Sequence, residues 1–170
     1  MKLRWRSQEG LTLIEIAITI VVAGLIAVGV IVALNQIAQS SRNSEHMSVL
    51  RQIQNAGYWI NLDAIQAVSV TTGDSQGFPL TMTRVDSSNV THRVVYSLVS
   101  MASQPSSQLV REEWHDGGFY GTTTVAQYID PAGTSCVWNY TSKVLTCTIT
   151  AQIKDKVETR TYEVKPRPFT

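Results

Sequence analysis

The sequence has little charge and few cysteines. Of its 170 residues 16% are charged, and 14 Lys plus Arg against 13 Asp plus Glu give a net charge of +1. Phosphate contacts require a surplus of basic residues, so this balance argues against a nucleic-acid partner. Two cysteines are too few for a disulfide-rich miniprotein or a four-thiolate zinc site. The 44% hydrophobic content excludes a disordered chain, and the length predicts one modest domain.

Charge is absent from one long stretch near the N-terminus. Residues 16–34, IAITIVVAGLIAVGVIVAL, carry no charged side chain, and Lys2, Arg4 and Arg6 precede them. A helix of this length spans roughly 28 Å, close to the hydrocarbon core of a bilayer. Basic residues are retained on the cytoplasmic side of a membrane. We therefore predict a single-pass helix with the rest of the chain outside.

The junction before this run carries a specific motif. Gly10 is followed by Leu11, Thr12-Leu13 and Glu15, with basic residues before it and an apolar helix after it. This arrangement resembles the leader of type IV prepilins, including minor pilins and pseudopilins. The resemblance implies that a membrane prepilin peptidase cuts between Gly10 and Leu11, and that the new amino terminus at Leu11 is N-methylated. Many family members have Phe or Met at the position of Leu11.

Glu15 lies one residue ahead of the uncharged run. A carboxylate in hydrocarbon costs about 2.5–3.5 kcal/mol on insertion scales, so it needs a partner. The Leu11 amine of a neighbouring subunit would supply one, and we predict that Glu15 sets the register of assembly. The alternative is that Glu15 reaches back to the lipid headgroups.

Helical periodicity continues beyond the apolar run, and the first proline is Pro79. Apolar residues recur at steps of three and four at Met47, Leu50, Ile53, Gly57, Ile60, Ala64 and Ala67. The opposite face is expected to carry Arg42, Asn43, Glu45, Arg51, Gln52 and Asp63. The predicted organisation is a leader at 1–10, a transmembrane assembly helix at 11–34, an amphipathic helix half at 35–66 and a β-rich domain at 67–170.

From Phe78 onward the hydrophobic period changes to two. The pattern predicts strands near 78–86, 91–101, 107–114, 122–129, 134–140, 143–153 and 156–164, whereas 72–77 is interpreted as a loop. An antiparallel sheet with one apolar face needs a cover, which the amphipathic half of the helix supplies. The predicted fold class is α+β, with a long N-terminal helix packed on an antiparallel sheet, as in pilins.

Cys136 and Cys147 are symmetric about Thr141-Ser142, so a hairpin turning there sets them opposite each other. In an oxidising exterior they can form a disulfide, and two free thiols are the alternative. A strict two-residue turn would make them a hydrogen-bonded pair, whose side chains lie farther apart. A bulge or a longer turn would relieve this difficulty.

Catalytic and metal-binding signals are weak. His46, His92 and His115 lack the HExxH spacing, and no GxSxG elbow occurs. A group of oxygen-bearing residues precedes Gly117-Gly118, namely Glu112, Glu113, His115 and Asp116. Because consecutive strand residues point to opposite faces, a solvated strand end is the better interpretation than a calcium site. We predict no catalysis, no cofactor and no metal.

The resemblance implies a structural subunit of a type IV pilus-like filament or secretion pseudopilus. Its expected partners are prepilin peptidase, other pilin subunits and the cytoplasmic membrane. The precursor would lie in the cytoplasmic (inner) membrane with its globular domain outside, before a cell-surface or periplasmic filament forms. Two alternatives stay open, namely a membrane-anchored β-domain that binds a ligand without polymerising and an exported enzyme released after Ser40.

Overall fold

The structure is a computed structural model that describes residues 12–102 and 104–167, with the backbone alone at 41 and 42. Within these residues one helix and eight strands follow one another along the chain. Their bounds are α1 (Leu13–Gln66), β1 (Ser69–Gly73), β2 (Gly77–Val85), β3 (Thr91–Ser100), β4 (Ser107–His115), β5 (Gly118–Ile129), β6 (Ser135–Asn139), β7 (Val144–Ile153) and β8 (Lys156–Val164). The chain divides into two compact units, Met1–Asn43 and Ser44–Thr170.

In the first unit the helix is apolar, and none of its described side chains is buried. Every side chain from Thr12 to Ser40 is exposed. An added Cβ at Gly24 or Gly29 would meet no atom within 4 Å. By length and composition this helix can cross a membrane. A contiguous apolar surface of this size is covered by lipid or by other protein in a working molecule.

In the second unit the helix packs on the sheet through small and β-branched side chains. The buried positions recur at steps of three and four, as the helical period requires, at Val49, Ile53, Ala56, Ile60 and Ala64. The predicted stripe is therefore shifted at its start, because Met47 is 50% exposed and Val49 is buried. Farther along, Ile53, Ile60 and Ala64 are buried as predicted.

The prediction from the sequence that Asp63 lies on the exposed face of α1 was wrong. This carboxylate is buried, with 8% of the residue exposed, on the side of the helix that meets the sheet. A charged residue is placed on the exposed face by default, because burial without a partner is costly. Here Arg111 on β4 supplies the partner from a distant part of the chain.

All the strand pairings are antiparallel, and the strand order is β1-β2-β3-β4-β5-β7-β6, with β8 paired to the other edge of β7. The α+β prediction is confirmed.

The seven predicted strands correspond to β2 through β8, and the helix ends at Gln66 as predicted. Sequence reasoning missed β1, because Val70 is the one buried residue of that strand and offers no alternation. Its pairing with β2 makes it a strand.

The strand β6 returns to the beginning of β2 and curls the sheet. Cys136 N donates to Gln76 O at 2.9 Å. Cys136 and Cys147 are register partners joined by a disulfide, with their Cα atoms 4.2 Å apart. The register ends at Asn139 opposite Val144, so the turn spans residues 140–143. This longer turn gives the cysteines the closer spacing of a non-hydrogen-bonded pair.

Gly77 is required where β2 approaches β6. Its φ is +88°, and an added Cβ would collide with the carbonyl oxygen of Cys136, which is backbone and has no alternative rotamer. Gly117 has a similar φ of +83° but open space around it. We expect Gly117→Ala to lower the free energy of unfolding by about 1–2 kcal/mol through its left-handed backbone. Gly77→Ala should lose a further 1–3 kcal/mol, roughly, through overpacking.

Thermal or denaturant unfolding of the purified full chain in detergent measures both variants. Because the two glycines have similar positive φ angles, the difference between the variants reports the contact with Cys136. Equal losses in Gly77→Ala and Gly117→Ala would show that β6 does not lie against β2 as described.

Candidate functional site

The helix α1 begins with a turn that places an acid at its positive end. Glu15 N and Ile16 N donate to Thr12 O at 3.0 and 3.2 Å. Thr12 thus occupies the N-cap position, and Glu15 follows at the spacing of a capping box. A carboxylate in the first turn is favoured by the helix dipole by about 0.3–1 kcal/mol. This local stabilisation is smaller than the cost of placing a carboxylate in hydrocarbon, so it accounts only in part for the presence of Glu15 at this position.

The cleavage residues predicted from the sequence, Gly10 and Leu11, lie outside the described residues. Among the residues that are described, Glu15 has no ion-pair partner, and its side chain is exposed. The cysteines lie far along the chain in the β6–β7 hairpin, where they form the disulfide.

A second group of polar residues joins the helix to the sheet in the globular unit. Arg111 donates from Nε to Asp63 Oδ2 at 2.7 Å and from Nη2 to Asp63 Oδ1 at 3.1 Å. The Tyr96 hydroxyl donates to the same Oδ2. Burial, reinforced by the charge of Asp63, raises the pKa of Tyr96, so this hydroxyl remains a donor. Bidentate charged bonds of this kind are among the strongest in proteins.

The network continues along β4 to Glu113. Arg111 Nη1 donates to Glu113 Oε2 at 2.8 Å, and His115 Nε2 lies 3.1 Å from Glu113 Oε1. Burial raises the pKa of Glu113, but the hydrogen bonds from Arg111 and His115 outweigh it and hold the pKa at about 2. Glu113 is therefore ionised throughout the physiological range.

His92 on β3 completes the group. It is the register partner of His115, and the two ring centroids lie 4.2 Å apart. His92 Nδ1 lies 3.7 Å from Glu113 Oε1, whereas its Nε2 lies 2.9 Å from Asp86 Oδ2. This hydrogen bond and one from the Val90 amide lower the pKa of Asp86. We call His92, Glu113 and His115 the His–Glu cluster.

Sequence reasoning missed the His–Glu cluster because it considered Glu113 and His115 only with their neighbours along β4. A signal was present. Folding the predicted strands 91–101 and 107–114 into a hairpin about the middle of their connection places His92 opposite Asp116, one position from its observed register partner His115. Glu113 and His115, two residues apart, then share a face.

A family model described as the prokaryotic N-terminal methylation motif matches residues 5–31 of the chain. No curated protein matches the chain, and no solved structure does. The matched segment contains Gly10, Leu11, Glu15 and most of the apolar run. Together the motif and the apolar helix support a type IV pilin-like protein of the prepilin type with a membrane-anchored precursor.

The lowered pKa of Glu113 predicts an acid-sensitive contribution to stability. The pKa of Glu113 is about 2 in the folded protein, below the ordinary value of 4.5. Ionised Glu113 therefore stabilises the fold fully above pH 4.5, and this stabilisation is lost as the pH falls toward 2. The shift corresponds to about 3 kcal/mol. We expect Glu113→Gln to lower the free energy of unfolding at neutral pH and to flatten its dependence on pH across this window, measured by unfolding at several pH values.

Glu112→Gln is the matched control, because Glu112 faces the opposite side of the sheet, where it is paired in register with Val95. It should retain the acid sensitivity of the wild type. A wild-type profile that stays flat between pH 4.5 and 2, or an equal effect of both variants, would contradict the assigned role of Glu113.

Proposed function

We propose that this chain is a structural subunit of a type IV pilus-like filament or a secretion pseudopilus, processed by prepilin peptidase and assembled through its N-terminal helix. The observation that carries the proposal is the methylation motif at residues 5–31, together with the part of α1 from Leu13 to Leu34, whose apolar side chains are all exposed. Proteins with this motif are structural rather than catalytic.

Assembly needs an apolar surface that lipid covers first and protein covers later. The side chains of Leu13 and Leu25 are 88% and 69% exposed, and residues between them are exposed as well. In the precursor, acyl chains would surround this helix in the cytoplasmic membrane. In a filament, neighbouring copies of the same helix would replace the lipid through close side-chain packing. The same surface then serves anchoring and polymerisation in turn.

Glu15 would select the register of that packing. Cleavage after Gly10 creates an amine at Leu11, close in sequence to the Glu15 carboxylate. In a low-dielectric interior each of these charges requires an opposite charge. A neighbour whose Leu11 amine meets Glu15 satisfies both groups, whereas a shifted neighbour leaves both unpaired. Helix packing supplies the attraction, and the ion pair rejects wrong alignments.

Gly10→Ala tests the processing step. A side chain at this position hinders the close approach of the peptidase to an extended backbone, so we expect full-length precursor to accumulate. Intact-mass spectrometry distinguishes Met1 from N-methylated Leu11 as the first residue. Gly24→Ala is the control, because Gly24 lies in open space within the apolar run and should be processed normally. A wild-type protein that begins anywhere other than Leu11 would refute the processing proposal.

Glu15→Ala tests the assembly step. We expect normal cleavage but at least a tenfold loss of incorporation into sheared filaments, because breaking a buried ion pair costs about 3–5 kcal/mol. Glu45→Ala removes an acid from the same helix beyond the apolar run, where Glu45 pairs with Lys154, and should assemble normally. If Glu15→Ala is incorporated into filaments as well as the wild type is, Glu15 does not set the register. If the wild-type protein is cleaved but stays monomeric, the filament proposal is wrong.

A further inference from the structure

The His–Glu cluster has the donor atoms and the spacing of a metal site. One ligand atom from each of its three residues lies within 4.8 Å of the others. Glu113 Oε1 lies 3.1 Å from His115 Nε2 and 3.7 Å from His92 Nδ1. Ligands around a tetrahedral zinc ion, with bonds of about 2.0–2.2 Å, lie roughly 3.4 Å apart. We propose that His92, Glu113 and His115 bind a divalent transition-metal ion of the zinc class.

Each ligand is held by a second residue that leaves the ligating atom directed into the cluster. Asp86 accepts from His92 Nε2 at 2.9 Å, which leaves Nδ1 with a lone pair on the side of Glu113. Arg111 occupies Glu113 Oε2 and leaves Oε1 toward the histidines. The ring of His115 stacks on Tyr120 at 4.1 Å. A carboxylate that orients a ligating histidine is a recurring outer partner in zinc sites.

The donor set favours a transition metal over calcium or magnesium. Calcium takes six to eight oxygen ligands, approximately, and magnesium retains several waters in an oxygen octahedron. Two imidazoles and one carboxylate are instead typical of zinc and its neighbours. The side chain of His92 is 11% exposed and that of His115 is 29% exposed, so the cluster is shielded on one side and open on the other. An open fourth position would take water.

The guanidinium group of Arg84 lies beside the atoms that would bind the metal ion. Its Nη2 atom lies 3.4 Å from His92 Nδ1 and 3.8 Å from Glu113 Oε1, two of the atoms that a metal would use. The Arg84 side chain is 31% exposed and flexible, so it can move into solvent when an ion enters. Arg84 therefore competes with the metal, and its removal should tighten binding.

The test uses the purified full-length chain in detergent, freed of metal. Zn²⁺ alone is titrated by calorimetry, and Co²⁺ alone is followed by its visible absorption, which reports coordination directly. We expect one ion per chain. Loss of an outer partner costs about 10–100-fold in affinity, so His92→Ala with His115→Ala should weaken binding by at least the upper end of that range. Asp86→Asn should fall within it, and Arg84→Gln should bind more tightly.

The third histidine of the chain is the matched control. His46 lies on α1 beside Glu158, away from the cluster, so His46→Ala should retain wild-type affinity and the Co²⁺ spectrum. Absence of binding by the wild type, unchanged binding by the double variant, or an equal loss in His46→Ala would each overturn the site. Should the double variant fail to unfold cooperatively, the more exposed single variant His115→Gln is scored in its place by the same criteria.

Discussion

A buried carboxylate on the helix constrains how the helix meets the sheet in the globular unit. Asp63 accepts two hydrogen bonds from Arg111 and one from Tyr96. A buried charge left without these partners would cost several kcal/mol, so rotation of the helix about its axis is restricted to the angle that satisfies Asp63. Val49 and Ile53 then face the core rather than Met47. The same guanidinium holds Glu113, so the helix contact and the His–Glu cluster share one network.

The first unit exposes its apolar side chains and the second unit buries many of its own, and this difference suits the proposed function. Between Thr12 and Ser40 every side chain is exposed, as lateral association with lipid or with other helices requires. In the second unit, the helix from Val49 to Ala64 covers the sheet, and the disulfide between Cys136 and Cys147 joins the two strands of the β6–β7 hairpin. A subunit of this kind has a self-contained core and presents its unsatisfied apolar surface on one helix.

Local patterns in the sequence predicted the elements well, whereas their contacts were harder to predict. The end of α1 at Gln66 and the strands from Gly77 onward follow from periodicity, which short segments carry by themselves. The strand β1 was missed because Val70 alone is buried in it. Asp63 was placed on the wrong face because its partner is far along the chain. The pairing of His92 with His115 depends on strand register, which single-residue patterns express only faintly.

The sequence by itself determined the apolar run, the methylation motif and the acid at Glu15. These features act through neighbouring residues, and a family model recognises them from the sequence of residues 5–31. Tertiary structure decided which charges are buried and which side chains meet. Asp63 contacts Arg111 only when the helix packs on the sheet, and His92 lies beside His115 only when β3 and β4 pair. Contacts between distant residues arise from folding, because no local spacing brings their atoms within bonding distance.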